Sequence, residues 1–341
     1  MATALITGSS GYIAKHTVQR FLNAGYNVRG SVRSLERGEE VRAAVRPGLH
    51  AGVDIDAALE FVALDLGSDD GWNEALEGVD VLVHTASPFP IAQPDDEDEL
   101  IRPAVDGTLR ALRAARVNGV NRVILTSSSA AIVSGLPPRT DGTFNEADWS
   151  DVDYPGISAY AKSKTLAERA AWEFVEKESP DVQLTTINPV FVLGAPLDDN
   201  YGSSINVIER IVRAKDPAVP AVGFSVVDVG DIAEMHLRAA QRPETAGERI
   251  AGAARGMWFL DIAQVVKAAY PDRKIVTRKA PKPLLWVLAR FDPEIKSILP
   301  SLGRMDEVDN SKAKTLLDMD FTDPVESVRT SAAYVIDHNR V

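Results

Sequence analysis

Short, continuously apolar runs alternate with helix-periodic stretches through the first half of the chain. The runs Thr3–Thr7, Asn27–Arg33, Leu59–Leu66, Val79–Ser87, Arg122–Ser128 and Val182–Asn188 read as strands. Most are continuous in their apolar residues rather than strictly alternating, the pattern of a parallel sheet covered by helices on both faces. A first helix is predicted after Gly11, with Ile13, Val18, Phe21 and Leu22 on its buried face and Gly25 available for a left-handed cap. A second runs through "RPAVDGTLRALRAARVNG" to Gly119, and a third through "SAYAKSKTLAERAAWEFVEKE" to Pro180. Strands and helices in this order predict an α/β fold, a doubly wound parallel sheet.

After Pro189 the rhythm fails. Prolines and aromatics crowd "LGAPL", "KAPKPLLWVLARFDP" and "ILPSLG", while Phe224–Val229 reads as one further strand. The expectation is a dinucleotide-binding domain of residues 1–188 and 222–248, with a smaller, interleaved C-terminal substrate domain of residues 189–221 and 249–341. The acidic run "DDEDE" (residues 95–99) reads as a solvated stretch before a helix.

Charge and composition narrow the partners. With Lys+Arg 37 against Asp+Glu 49, the net charge of −12 argues against nucleic acid or an anionic membrane as the main partner. The chain has no cysteine, which excludes disulfides, thiolate zinc sites and cysteine nucleophiles. His16, His50, His84, His236 and His338 lie far apart, so no metal site is expected. No basic leader precedes an apolar one at the N-terminus and no run is long enough to span a bilayer, so a cytoplasmic location is expected.

Chemistry enters with "TGSSGYIAKH", Thr7 to His16, which closes the first strand and opens the first helix. Gly8 permits the sharp turn. Gly11 carries no side chain to hold a phosphate away from the first helical N–H groups, and Ala14 lets the helix approach the sheet. In that setting the spacing predicts a dinucleotide site. The second strand ends on Arg33, with Arg37 a turn later, where NAD-preferring folds carry an acidic residue. Two guanidiniums suit a 2′-phosphate, so NADP(H) is expected. Asp65 is placed to meet the adenine or to cap its own loop.

"YAKSK" sets Tyr160 and Lys164 on one helical face, where the ammonium can stabilise a phenolate. Tyr270 and Lys274 repeat the spacing in "YPDRK", but Pro271 cannot continue a helix, so no shared face is expected there. The serines of "LTSSSAA" emerge at the carboxyl edge of the sheet, where one hydroxyl can polarise a carbonyl.

Together "TGSSGYIA", "VRGSVRS", "HTASPF", "LTSSSAA", "YAKSK" and "NPVFVLG" resemble the extended short-chain dehydrogenase/reductase superfamily. "HTASPF", "IRPAVDGT" and "FNEADWS" narrow the likeness to its dihydroflavonol reductase-like branch, which includes cinnamoyl-CoA reductases and yeast-type methylglyoxal/aldehyde reductases. The resemblance covers about Ala2 to Asp231 and implies a Rossmann-type fold and an NADPH-dependent carbonyl reductase. It implies Tyr160 as proton donor, Lys164 as its partner and ribose ligand, and Ser128 as the carbonyl polariser, with Ser129 still open. For the cofactor it implies Gly8, Gly11, Tyr12 and Ile13 at the pyrophosphate, Arg33 and Arg37 at the 2′-phosphate, and Asp65 and Leu66 at the adenine. Thr85, Ala86 and Ser87 would line the nicotinamide ribose, and Pro189 and Val190 its carboxamide. Glycine is frequent in the family at the place of Ala14, whereas this branch commonly takes alanine. The partner expected is a small carbonyl compound, apolar or aromatic, walled by Phe89, Tyr201, Phe224 and Trp258, acting on a monomer or homodimer. A nucleotide-sugar epimerase or dehydratase, a 3β-hydroxysteroid-type dehydrogenase and an NADP-sensing regulator are the competing readings.

Overall fold

Every strand expected in the first half of the chain forms. The computed structural model describes residues 1–88, 96–139, 143–291, 295 and 299–338. In chain order the strands are β1 (Thr3–Thr7), β2 (Asn27–Val32), β3 (Leu59–Ala63), β4 (Val81–His84), β5 (Arg122–Thr126), β6 (Gln183–Pro189), β7 (Phe191–Leu193), β8 (Gly223–Asp228), β9 (Arg249–Gly252), β10 (Arg255–Trp258) and β11 (Met305–Asp306). Seven of them build one sheet in the order β3-β2-β1-β4-β5-β6-β9. All its pairings are parallel, which confirms the Rossmann-type doubly wound architecture. The order reverses between β1 and β4, and a crevice opens at the carboxyl ends of strands at such a point.

Several strands stop earlier than the apolar runs do, for a visible reason. Beyond His84, the N–H groups of Thr85 and Ala86 both donate to Thr7 Oγ1 at 3.1 Å instead of extending the ladder. The chain is thereby turned over the end of β1.

Local signals place the helices. Tyr12–Asn23 buries Val18, Phe21 and Leu22 as expected, while Ile13 is half-buried. Each such side chain contributes about 1.5–3 kcal/mol by leaving water. Gly25 (φ 83°) ends this helix, and Gly119 (φ 69°) ends Asp98–Val117. Ser158 caps Ala159–Glu178, its hydroxyl accepting from Ala161 N at 3.1 Å. No helix among the described residues is long and apolar enough to cross a membrane.

A second, small sheet is organised around β8, which pairs antiparallel with β10 and parallel with β7 and β11. The run expected within the dinucleotide-binding part thus lies in the small sheet as Gly223–Asp228, while Arg249–Gly252 closes the large sheet beside β6. Each run is short, and an apolar run of four to six residues carries no mark of which sheet it will join.

Candidate active site

The glycine turn is held from two sides. Gly8 adopts φ 63°, and a Cβ on it would stand 3.0 Å from the Cα of Ala86. From β2, Ser31 accepts the Gly8 N–H on its hydroxyl at 3.0 Å and the Ser9 N–H on its carbonyl at 2.8 Å. Gly11 heads the helix Tyr12–Asn23, which has no side-chain cap and no acidic residue in its first turn. Its leading N–H groups and the positive end of its dipole therefore remain open to an anion. Tyr12 points its ring elsewhere, donating its hydroxyl to Gly194 O at 2.8 Å, so only its backbone faces the turn. Burial pushes that phenol well above its ordinary range. Two contacts here have no signature in the sequence pattern: Lys15, buried in the helix, pairs with Asp198, and Asn200 donates to Ser10 O at 2.6 Å.

At the end of β2, Arg33 is exposed and pairs with no carboxylate among the described residues. Arg37 faces Glu40 at 3.4 Å. Asp65 caps its own loop, accepting from Gly67 N at 2.6 Å. Leu66 packs over Gly107, where a Cβ would come within 2.8 Å of it.

Thr85 and Ala86 hang from Thr7, as described, and Thr85 also donates its hydroxyl to Thr7 O. Ser87 borders a narrow cavity shared with Thr108, Ser127, Lys164 and Glu168. At the end of β6, Pro189 accepts from Ser129 N at 2.9 Å, and Val190 N donates to Gly252 O at 3.1 Å.

The serine run is divided by its surroundings. Ser127 turns inward, donating to Glu168 Oε2 at 2.6 Å. Ser128 accepts from Ala130 N at 3.1 Å and is hydrogen-bonded to the Tyr160 hydroxyl. Ser129 precedes the short helix Ala130–Val133 without capping it. Of the three, Ser128 is the one brought to Tyr160.

The Lys164 ammonium lies 6.0 Å from the centroid of the Tyr160 ring. Burial pushes the Tyr160 phenol up, opposed by the Ser128 hydrogen bond. Burial also lowers Lys164 to about 8, opposed by the charge of Glu168. His84, at the carboxyl end of β4, is lowered to about 3 by burial and by Lys164, so it stands neutral. Its Nδ1 shares a 2.9 Å hydrogen bond with Thr7 Oγ1.

The expected pocket walls fare unevenly. Phe224 stacks on Phe191 at 5.7 Å and leans on Phe259 at 5.2 Å, as a core aromatic does. Tyr201 donates to Glu209 at 3.3 Å and meets Tyr334 edge-on. Trp258 is half-buried beside Gly223. Phe89 lies outside the described residues. The second Tyr/Lys spacing is separated as expected: Tyr270 ends the helix Phe259–Ala269 and Lys274 lies beyond it, outside any helix. Glu168, four residues past Lys164, was legible as a further member of the same helical face; Arg249, which binds it, gave no signal.

The family model for the NAD dependent epimerase/dehydratase family matches residues 4–251. The ketoreductase azaE of Aspergillus niger is 32% identical over 337 residues, covering 94% of this chain and 93% of its own. The NADPH-dependent methylglyoxal reductase GRE2 of Saccharomyces cerevisiae is 28% identical, covering 98% of each chain. A crystal structure of yeast methylglyoxal/isovaleraldehyde reductase Gre2 complexed with NADPH superposes with a TM-score of 0.82 at 26% identity, covering 99% of this chain and 100% of that one.

Proposed function

The chain belongs to the NAD dependent epimerase/dehydratase family, and within it we propose an NADPH-dependent carbonyl reductase that converts an aldehyde or ketone reversibly to the alcohol. The observation that carries this reading is the hydrogen bond between the Tyr160 and Ser128 side chains, with Lys164 one turn along the same helix. The reductases named above support it, since they resemble this chain over nearly its whole length.

The residues present fit the cofactor. At Gly8 a Cβ would be pressed to 3.0 Å from the Cα of Ala86, so the turn must stay bare there, and the helix end behind it is uncapped. The backbone of Gly11, Tyr12 and Ile13 would hold the pyrophosphate there. Arg33, which pairs with no carboxylate among the described residues, offers its guanidinium to the 2′-phosphate, while Arg37 would have to share itself with Glu40. Asp65 and Leu66 would border the adenine, Thr85, Ala86 and Ser87 the nicotinamide ribose, and Pro189 and Val190 its carboxamide. In this reading the large sheet carries the dinucleotide and the small sheet, with β8, faces the substrate.

When bound, the nicotinamide supplies a hydride to the carbonyl carbon. Ser128 donates a hydrogen bond to the carbonyl oxygen as charge grows on it. Tyr160 gives that oxygen its proton. The upward push on its phenol keeps it protonated at neutral pH, the form that reduction requires. Lys164 stabilises the phenolate left behind and holds the ribose. The substrate is a small carbonyl compound of apolar or aromatic character.

The test is NADPH oxidation against aliphatic aldehydes, aromatic ketones, diketones, flavonoids and steroids, with Tyr160→Phe as control. Turnover of at least one class that disappears in the control is expected. Absence of turnover across the panel, or turnover equal in the control, would refute the reading.

A further inference from the structure

Residues 160, 164 and 168 share one face of the helix Ala159–Glu178, and the third has no part in the chemistry above. Glu168 is nonetheless the most heavily engaged carboxylate near the site. Its side chain is 0% exposed and pairs with Arg249, itself 9% exposed, at 2.6 Å. Oε1 accepts from Arg249 Nε at 2.6 Å, Thr186 Oγ1 at 3.1 Å and Trp172 Nε1 at 3.4 Å. Oε2 accepts from Ser127 Oγ at 2.6 Å and Asn188 Nδ2 at 2.8 Å. The remaining donors of Arg249 reach Glu146 O at 2.6 Å, Asp148 O at 2.7 Å and Ala131 O at 3.4 Å. Its guanidinium carbon lies 3.6 Å from the centroid of the Trp149 ring.

Stability alone is a poor reason for such a pair. Desolvation costs several kcal/mol per ion, and well-packed apolar residues in the same space are often as stable. What the pair holds is the reaction centre. Ser127, the neighbour of Ser128, is anchored on Glu168 by its hydroxyl. Asn188, anchored on the same carboxylate, donates to the Ser128 carbonyl at 3.2 Å. Ser128 is thus fixed before and behind, leaving its hydroxyl for Tyr160.

We propose that Glu168, locked by Arg249, is a positioning residue of this site: it fixes the backbone that presents Ser128 to Tyr160 and sets a compensating carboxylate beside the buried Lys164 ammonium. The inference rests on the reductase reading. The other titratable groups facing Lys164 are Tyr160 on its own helix and His84 at the end of β4. His84 is neutral, and Glu168 lines the same narrow cavity as Lys164 one helical turn away, so the compensating charge comes from Glu168.

Two variants test this, Glu168→Gln and the double change Glu168→Gln/Arg249→Met, which removes both buried charges and keeps the protein folded should the single change leave Arg249 too costly to bury. The first readout is the protonation midpoint of Lys164, from competitive amine labelling read by mass spectrometry, which needs no turnover. The second is the pH profile of kcat. In both variants the midpoint and the alkaline limb should move down together, by about one pH unit in Glu168→Gln and by less in the double variant, which also removes the Arg249 charge. The limb falls on the alkaline side because Lys164 acts while protonated. Turnover should drop by roughly tenfold or more, with KM for NADPH changing less than about threefold. An unmoved midpoint and limb in folded variants, or a loss that tracks only the folded fraction, overturns the proposal. A wild-type protein that reduced no carbonyl would sink the reductase reading, while the labelling midpoint would still decide whether Glu168 holds the Lys164 charge.

Discussion

Replacing Ser127, Ser128 and Ser129 singly by alanine should give three different outcomes from three adjacent, chemically identical side chains. Ser128 is hydrogen-bonded to Tyr160 at the carboxyl edge of the sheet. Removing one preorganised donor to a developing oxyanion costs about 2.7 kcal/mol or more, roughly a hundredfold in kcat. Ser127 donates at 2.6 Å to a carboxylate with no solvent exposure. A hydrogen bond to a buried charge contributes about 1.5–3 kcal/mol, so its loss should appear mainly as stability. Because it also anchors the chain before Ser128, kcat should fall, but less than about tenfold. Ser129 caps nothing, and its removal should stay within about 0.5 kcal/mol and about twofold in kcat. Initial rates of NADPH oxidation at saturating substrate, together with urea denaturation midpoints, measure both axes. If Ser129→Ala slowed turnover more than Ser128→Ala, or Ser127→Ala left stability untouched, the assignment of faces would be wrong.

Tyr160→Phe should lower kcat by at least about a hundredfold while NADPH binding, followed by its fluorescence, changes little; retained turnover would contradict its role as proton donor. Arg33→Ser should raise KM for NADPH by about tenfold to thirtyfold and that for NADH by less than about twofold. Equal effects on both would reverse the cofactor assignment, and Arg37, already facing Glu40, should matter less. Gly8→Ala forces a left-handed backbone on a residue with a Cβ and drives that Cβ to 3.0 Å from the Cα of Ala86. It should cost at least about 1–2 kcal/mol in thermal unfolding and weaken NADPH binding at least about tenfold. Unchanged affinity would show that the turn is not the coenzyme's cradle.

Much of this molecule is written locally. Continuous apolar runs separated by helical periodicity specify a parallel sheet, because only strands covered on both faces can be apolar on both. Gly8, at φ 63°, marks a turn that residues with a Cβ rarely make, and four-residue spacing inside an unbroken helix must put Tyr160 and Lys164 on one side. The same logic separates Tyr270 from Lys274, since a proline between them ends the shared face.

Other features depend on partners far along the chain. Nothing in "SSS" says which hydroxyl turns inward; that is settled by Glu168, 41 residues away from Ser127. Arg249 meets Glu168 across 81 residues only because β9 pairs with β6. Gly223–Asp228 and Arg249–Gly252 are both short runs, and strand pairing alone assigns them to different sheets. Periodicity reports which face of an element is buried, whereas the identity of its neighbour is a property of the packed whole. The turn, the sheet and the helical Tyr/Lys pair were therefore determined by the sequence itself, and the choice of serine and the charge buried beneath it were decided by tertiary packing.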